Sequence, residues 1–596
     1  MKPSNSIQNI LIILSRSLQR FPITILCSTA VAILLIAILD LQQVYTQAGQ
    51  LETLYKTTMI IALGIPLSLC IKVFLEKKDN IKTAEVIGLY AAGGLVFLLY
   101  YFFLLDKLNM VSITRYIAVS LALYLGFLFI PYLPKKEQFE MYIIKVCSSF
   151  FITVIYSAVL YLGLAAILLA IDLLLGIDVT ENAYFYIWFL VAFVFAPSYF
   201  LAGIPLPDEQ LQQEKYPKIL RILLLYIVMP LLTAYTAILY IYFIKIIVLW
   251  KWPVGVVSHL VLWYAVIVTA VLFFITPIKD EDKWADRFTV WMPKIILPLL
   301  IMMFISMGIR INAYGVTENR YYVIVLGLWV CAMMIYFTLT KKRRNIVIPV
   351  TLALIALLSV FGPLSSYSIS TRSQNNRLQA ILIKNDMLQD GKIQTAPADI
   401  SRDDKYEISR KLDYFNRNHS LQEIGYLPQD FMMDDMEKVF GFPYISESPH
   451  EQPPDDTFHL VNSQAESALD IRGYDFLFNS MHLYDEWSAD STGTIDTKYD
   501  RQSSIVRVYH QGTLLYQKNL NLFTKELFDK YIDTEREKYL SSEREKYLSP
   551  EEITLVEENE KVKVKIVFLN IMGSEKIATG DIKLEGGEFY LLVKLK

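Results

Sequence analysis

The sequence predicts a membrane-embedded all-α bundle of about eleven transmembrane helices, followed by a soluble α+β extracytoplasmic domain. Three observations carry this. Up to about residue 364 the 596-residue chain is a succession of apolar blocks, each near the roughly 20 residues a helix needs to cross about 30 Å of hydrocarbon. Lysine and arginine concentrate on alternate loops between those blocks. Beyond them the apolar spacing turns first helical and then alternating, the period of strands.

The blocks run over 21–40, 57–75, 84–105, 112–133, 147–172, 184–204, 219–250, 253–275, 290–309, 321–340 and 346–363. The first follows Arg16 and Arg20 like a signal peptide. It is too long for one and has no small-x-small cleavage site after it, so it reads as an uncleaved membrane helix. The stretches 141–177 and 219–250 exceed one crossing. Tilt, a kink at Pro230 or extension beyond the bilayer accommodates such a length, and ten or twelve crossings stay open.

One set of loops holds Lys2, Arg16, Arg20, Lys72, Lys77, Lys78, Lys82, Lys135, Lys136, Lys145, Lys215, Lys218, Arg221, Lys279, Lys283, Arg287, Lys341, Lys342, Arg343 and Arg344. The other holds Lys56, Lys107, Arg115, Lys245, Lys251, Arg310 and Arg320. Twenty against seven places the first set, and the N-terminus, on the cytoplasmic side of the membrane. The run from Lys341 to Arg344 is its strongest marker. One more crossing then exports the C-terminal domain.

The expected domains are 1–364, a polytopic bundle; 365–455, a helical and linker segment; and 456–596, a β-rich α+β domain. Helical spacing covers 404–424 and 431–440, before a linker with Pro449, Pro453 and Pro454. Residues 505–508 and 514–516 flank Gln511-Gly512 as a hairpin. Residues 562–570, 577–584 and 589–595 read as three strands, with Gly586-Gly587 as a turn. A charged helix is expected over 524–548. It carries a near-repeat, 534–541 and 542–549, whose Glu and Lys pair along a helix.

The near-neutral charge of -3 argues against a nucleic-acid partner. No phosphate-binding glycine loop, His-Glu-x-x-His or Gly-x-Ser-x-Gly is present, so no catalytic residue, cofactor or metal site is expected. The cysteines, Cys27, Cys70, Cys147 and Cys331, sit inside apolar blocks and read as small buried hydrophobes. Five of the six histidines lie in the polar half without ligand spacing and read as surface residues. Gly88, Ala91, Ala92, Gly93 and Gly94 read as close helix packing.

Charges near the block ends are more informative, because an ion at mid-bilayer costs at least about 2.5 kcal/mol. Asp106, Asp172, Lys245, Arg310 and Arg320 fall at the expected outer face, with His259 one to two turns inside it. Trp250 and Trp252 suit the interfacial aromatic belt. Tyr314-Gly315-Val316-Thr317 makes a tight turn bracketed by Arg310 and Arg320. These ten residues, Lys245, Trp250, Trp252, His259, Arg310, Tyr314, Thr317, Arg320, Asp106 and Asp172, are the candidate polar cluster. It is either a solvated set of helix ends or a site for an anionic ligand. Pro66, Pro197, Pro230, Pro293 and Pro298 add helix-breaking positions, ordinary in membranes and also used by transporters.

Two stretches resemble the bacterial membrane family catalogued as domain of unknown function 4153. They are 240–259, which includes Lys245 and Trp250-Lys251-Trp252-Pro253, and 310–321, from Arg310 to Tyr321. Phe440-Gly441-Phe442 and Ile471-Arg472-Gly473-Tyr474 add weaker likeness. The resemblance implies many helices, a soluble tail and a bacterial inner membrane as the location, and no activity. Its two main stretches are expected to pack together at the outer face.

Three readings follow. A sensor or scaffold of the cell envelope predicts a filled bundle interior and a groove on the outer domain. A transporter predicts a polar cavity opening to the outer face. A membrane enzyme acting on a lipid-linked or anionic substrate needs carboxylates or a histidine in a lateral cleft. The partners implied are the lipid bilayer and an anionic small molecule or envelope protein.

Overall fold

The computed structural model describes residues 15–596, apart from 45–47, 79–80, 106–107, 134–137, 207–214, 251–255, 341–342, 398, 446–455, 466, 483–487, 490–494, 502, 533–543 and 577–580. The chain forms two compact units, Met1–Ile400 with Glu407–Tyr444, and Ser401–Tyr406 with Ile445–Lys596. Lys341, Lys342, Lys107, Lys251 and the three linker prolines lie outside the described residues.

In the first unit, ten described helices are long and apolar enough to cross a membrane. They are α1 (Pro22–Val44), α2 (Ala48–Leu75), α3 (Thr83–Leu104), α4 (Met110–Phe129), α5 (Phe139–Leu175), α6 (Glu181–Ala202), α7 (Lys218–Leu249), α8 (Val256–Ile275), α9 (Lys283–Tyr314) and α10 (Glu318–Leu339). The eleventh block forms only a 12-residue helix, α11 (Val347–Leu358). Such a helix rises about 18 Å. Turns at its two ends carry the rest of the apolar stretch.

The two overlong blocks stay continuous. Helix α5 runs unbroken for 37 residues. Helix α7 absorbs Pro230 through a π-helical stretch, Leu223–Val228, and α6 does the same before Pro197 with Val191–Phe195. A proline clashes with the carbonyl four residues back and offers it no N–H. Widening the preceding turn relieves both faults, which is why π segments sit just upstream. The small-residue cluster of α3 packs only in part. A Cβ on Gly93 would meet Leu67 Cδ2 of α2 at 2.8 Å, while Gly88 and Gly94 face open space. These two glycines therefore do not make the close helix packing expected of them.

Helices α7 to α10 enclose a core of Met229, Val268, Ile296, Leu300, Met303, Val330 and Met334, all fully buried. One end of the bundle is held by polar side chains. Arg20 forks onto Glu76 at 2.9 and 2.8 Å and donates to the Ile204 and Pro205 carbonyls. Arg343 donates to the Thr289 and Phe337 carbonyls, and Asn345 to Glu140. Arg20 and Arg343 thereby satisfy carbonyls at or just past the C-terminal ends of α6 and α10, which lack partners within the helix.

The unit continues into α12 (Ser366–Lys384), a two-residue hairpin of β1 (Leu388–Gln389) and β2 (Lys392–Ile393), α13 (Arg402–Asn418), which belongs to it from Glu407 onward, and a short α14 (Met436–Phe440). Leu378, Leu382, Ile408, Leu412, Phe415 and Phe440 form a second, smaller core there.

The second unit is α+β. Its larger sheet has the order β4 (Phe476–Asn479), β12 (Asp581–Leu595), β11 (Val562–Lys576), β3 (Asp456–Asn462), β9 (Arg544–Leu548), with β10 (Thr554–Glu558) sharing the β11 edge with β3. The smaller sheet is β5 (Ser488–Ala489), β6 (Ile495–Asp500), β7 (Ile505–His510), β8 (Thr513–Asn519). Helix α15 (Leu520–Tyr531) supplies Phe523 and Phe528, which stack on Phe568 and Phe458 at 5.7 and 4.8 Å.

Two expectations for this unit need correction. The expected helix over 524–548 ends at Tyr531, and the second copy of the repeat forms β9, parallel to β3. The first copy lies outside the described residues. Burial of Leu548 in the sheet core outweighs local helix propensity. The three closing strands are two long ones, and Gly586-Gly587 is no turn. Both glycines lie within β12, paired with Met572 and Ile571. A Cβ on Gly587 would meet the Asn570 carbonyl at 2.8 Å. The pair is there for close approach at the irregular register around Asn570 and Gly573. The hairpin at Gln511-Gly512 forms as expected, with both residues at positive φ (49° and 77°), as a two-residue turn of type I′ requires.

Candidate functional site

The polar residues of the first unit converge where α9 turns into α10. Helix α9 ends at Tyr314 because Gly315 takes φ 76°, free of a Cβ penalty. The turn leaves α9 carbonyls open, and helix α12 closes them. Arg377 donates to the Ala313 carbonyl at 2.8 Å and also to Asn312. Gln374 donates to Val316 at 2.6 Å and to Tyr314 at 3.3 Å. The Val316 N–H donates to Ser373 Oγ at 2.9 Å. From α10, Tyr321 donates to the Leu364 carbonyl and Tyr322 meets Ser366 Oγ at 2.9 Å. This seam stitches the last long membrane helices to the helical segment that follows them.

Beneath the seam lies a buried triad. Glu318, in the first turn of α10, accepts at one oxygen from Tyr414 (2.6 Å) and from His419 Nε2 (2.7 Å). The Glu318 and His419 side chains are only 6% and 2% exposed. His419 is therefore not the surface histidine the sequence suggested. It is packed among the rings of Tyr367, Tyr414 and Phe415. Burial and the Glu318 carboxylate push the Tyr414 hydroxyl well above its ordinary range, so it donates to Glu318 at any working pH.

Around Tyr314 gathers positive charge. Arg320 donates to the Gly315 carbonyl at 2.6 Å and lies over the Tyr314 ring at 5.5 Å. Arg410 of α13 lies over the same ring at 5.4 Å. Arg320 feels the charges of Arg310, Arg377 and Arg410. Among the described residues, the buried Nε of Arg310 has no hydrogen-bond partner. Lys411, next to Arg410, is almost fully covered and pairs with Glu407 at 3.5 Å.

Burial, with Arg410 adding repulsion, lowers Lys411 from 10.5 to about 8. The unfolded chain therefore holds the proton more tightly between pH 8 and 10.5, so this residue makes stability rise with pH across that window. Below pH 8 the full penalty is present, on the order of 3 kcal/mol. Lys411→Met is expected to stabilise the protein by about 1–3 kcal/mol at pH 7. The gain should fade as pH passes 8 towards 10.5, read as the difference in melting midpoint between variant and parent. A constant difference across that range would refute the assignment.

Of the ten candidate residues, the structure brings Arg310, Tyr314, Thr317 and Arg320 to this corner. Thr317 precedes α10 without a side-chain cap. Lys245, Trp250 and His259 belong instead to the α7–α8 pair. Lys245 and Trp250 are exposed. His259 lines an apolar cavity of about 750 Å³ with Leu231, Tyr235, Trp263 and Tyr264. Asp172 ends α5 and accepts from the Val179 N–H at 3.4 Å. Asp106 and Trp252 lie outside the described residues. Sequence reasoning missed Arg377, Arg410, Lys411, Glu318 and His419. For Arg377, Arg410, Lys411 and His419 the signal was a basic, tyrosine-bearing helical stretch after the last apolar block, while Glu318 lay inside the 310–321 stretch without being singled out.

No solved structure matches this chain. A protein of Pasteurella multocida (strain Pm70), called uncharacterized, is 23% identical over 304 residues, 48% of this chain and 51% of that protein. The chain thus spans about half the length of that relative. The family described as domain of unknown function (DUF4153) matches residues 21–400. That stretch holds all ten long apolar helices and the α9–α10 turn, and the chain belongs to the DUF4153 family of multi-pass membrane proteins.

Proposed function

We propose that this is a cytoplasmic-membrane protein with its N-terminus inside and its C-terminal unit exported, serving as an envelope sensor or scaffold rather than as a transporter or enzyme. The seam at the α9–α10 turn carries this reading. A bundle that only moved solute would not need its last helices hydrogen-bonded to a following helical segment at so many points. The filled core of α7 to α10 suits an anchor. On the second unit, a groove of about 440 Å³ lined by Asn462, Asp470, Lys565 and Tyr590 offers room for a partner. The orientation follows from the twenty-to-seven bias of basic residues, with α11 and the turns at its ends as the final crossing, since Arg344 meets Tyr336 near one end of α10 and Leu364 meets Tyr321 near the other.

Two measurements test it together. Alkaline phosphatase fused after Lys596 should be active, and Val316→Cys with Ser373→Cys should cross-link through a short bis-maleimide in isolated membranes. An inactive fusion overturns the orientation. A pair that never cross-links overturns the joint between bundle and following helices.

A further inference from the structure

Five cations meet at the corner from four helices: Arg310 of α9, Arg320 of α10, Arg377 of α12, and Arg410 and Lys411 of α13. One carboxylate, Glu407, serves both Arg410 (2.8 Å) and Lys411 (3.5 Å). Among the described residues nearby, the Glu318 carboxylate is already committed to His419 and Tyr414. Carbonyls occupy parts of Arg320 and Arg377 but bring no net charge. Like charges clustered in such excess repel one another, the more so where Lys411 is buried, and an anion among them relieves that repulsion. Among the described residues, the buried Nε of Arg310 has no acceptor.

We propose that the corner formed by Arg310, Arg320, Arg377, Arg410 and Lys411 binds a phosphate-class oxyanion. Several guanidinium forks match a tetrahedral anion carrying oxygens on every side, a geometry a single carboxylate does not satisfy. Arg310 lies one turn from the end of a membrane-crossing helix and Arg320 in the first turns of the next. This is the depth of a lipid headgroup, so the phosphate is either free or that of an anionic phospholipid. The inference rests on the joint proposed above, because Arg377, Arg410 and Lys411 reach the corner only when α12 and α13 pack there.

The test uses the full chain in nanodiscs of neutral phosphatidylcholine. The melting midpoint is followed while inorganic phosphate is titrated against sodium chloride of equal ionic strength, and separately with phosphatidylglycerol added to the disc. A rise with phosphate assigns a free anion. A rise with phosphatidylglycerol alone assigns the lipid headgroup. Arg310→Gln and Arg410→Gln should each weaken the response at least about tenfold, and Lys384→Gln should leave it unchanged. If neither phosphate nor phosphatidylglycerol shifts the unaltered protein beyond the chloride control, the site does not exist, whether or not the variants fold. The 316–373 cross-link in the same discs separates the two ideas. Cross-linking without an anion response removes the site and leaves the joint, whereas absent cross-linking removes the joint.

Discussion

Replacing Glu318 by leucine is expected to destabilise the first unit by about 3–5 kcal/mol, the cost of removing one partner from a buried charged pair. The carboxylate oxygen accepts from both Tyr414 and His419. His419 has no solvent to turn to, since its side chain is 2% exposed and walled in by three rings. Glu318→Gln keeps an acceptor in place, so its cost should be smaller, about 1–3 kcal/mol. Removing all three polar groups, as Glu318→Leu with Tyr414→Phe and His419→Leu, should recover most of the loss, because no buried donor is then left unpaired. The readout is the melting midpoint in detergent, together with protease resistance of the 366–444 segment. If Glu318→Leu melts with the parent protein, the triad contributes nothing to folding.

The second large effect belongs to the other unit. Gly573 of β11 faces Phe458 of β3 directly. A Cβ at this position would fall 2.2 Å from the ring Cζ. Phe458 is fully buried and stacks on Phe528, so the ring has nowhere to move. Gly573→Val is therefore expected to cost about 3 kcal/mol or more, at the upper end of overpacking. Phe458→Ala alone should cost about 3–5 kcal/mol through the cavity it leaves. The double variant should be more stable than the sum of the two losses implies, because valine partly fills that cavity. Simple additivity in a denaturant titration would mean the two positions do not press on each other.

Both effects rest on partners far apart in sequence, and this marks what was legible. The membrane character could be read directly, because about 20 apolar residues in a row have one stable fate and basic loops alternate between faces. The hairpin at Gln511-Gly512 was also legible, since a two-residue turn with φ above zero is a local demand met by local residues. The α9–α10 turn falls in the same class, with Gly315 as its marker. The second repeat copy was misread as helix because its Glu and Lys spacing suits a helix. Pairing with β3 and burial of Leu548 were invisible until the sheet existed. The Gly586-Gly587 pair was misread for the same reason, as a close backbone approach leaves the same trace as a turn.

By itself, the sequence determined the class of the protein and the number of its long apolar helices to within one, and it set Arg310, Tyr314, Thr317 and Arg320 around one tight turn. It did so because hydrophobic length and turn chemistry act over a few neighbouring residues. Only the tertiary structure decided that Arg377, Arg410 and Lys411 join that corner, that Glu318 is buried with His419, and that His259 faces an apolar cavity instead. These pairings depend on which helix faces meet, and meeting faces are chosen by packing across the whole unit.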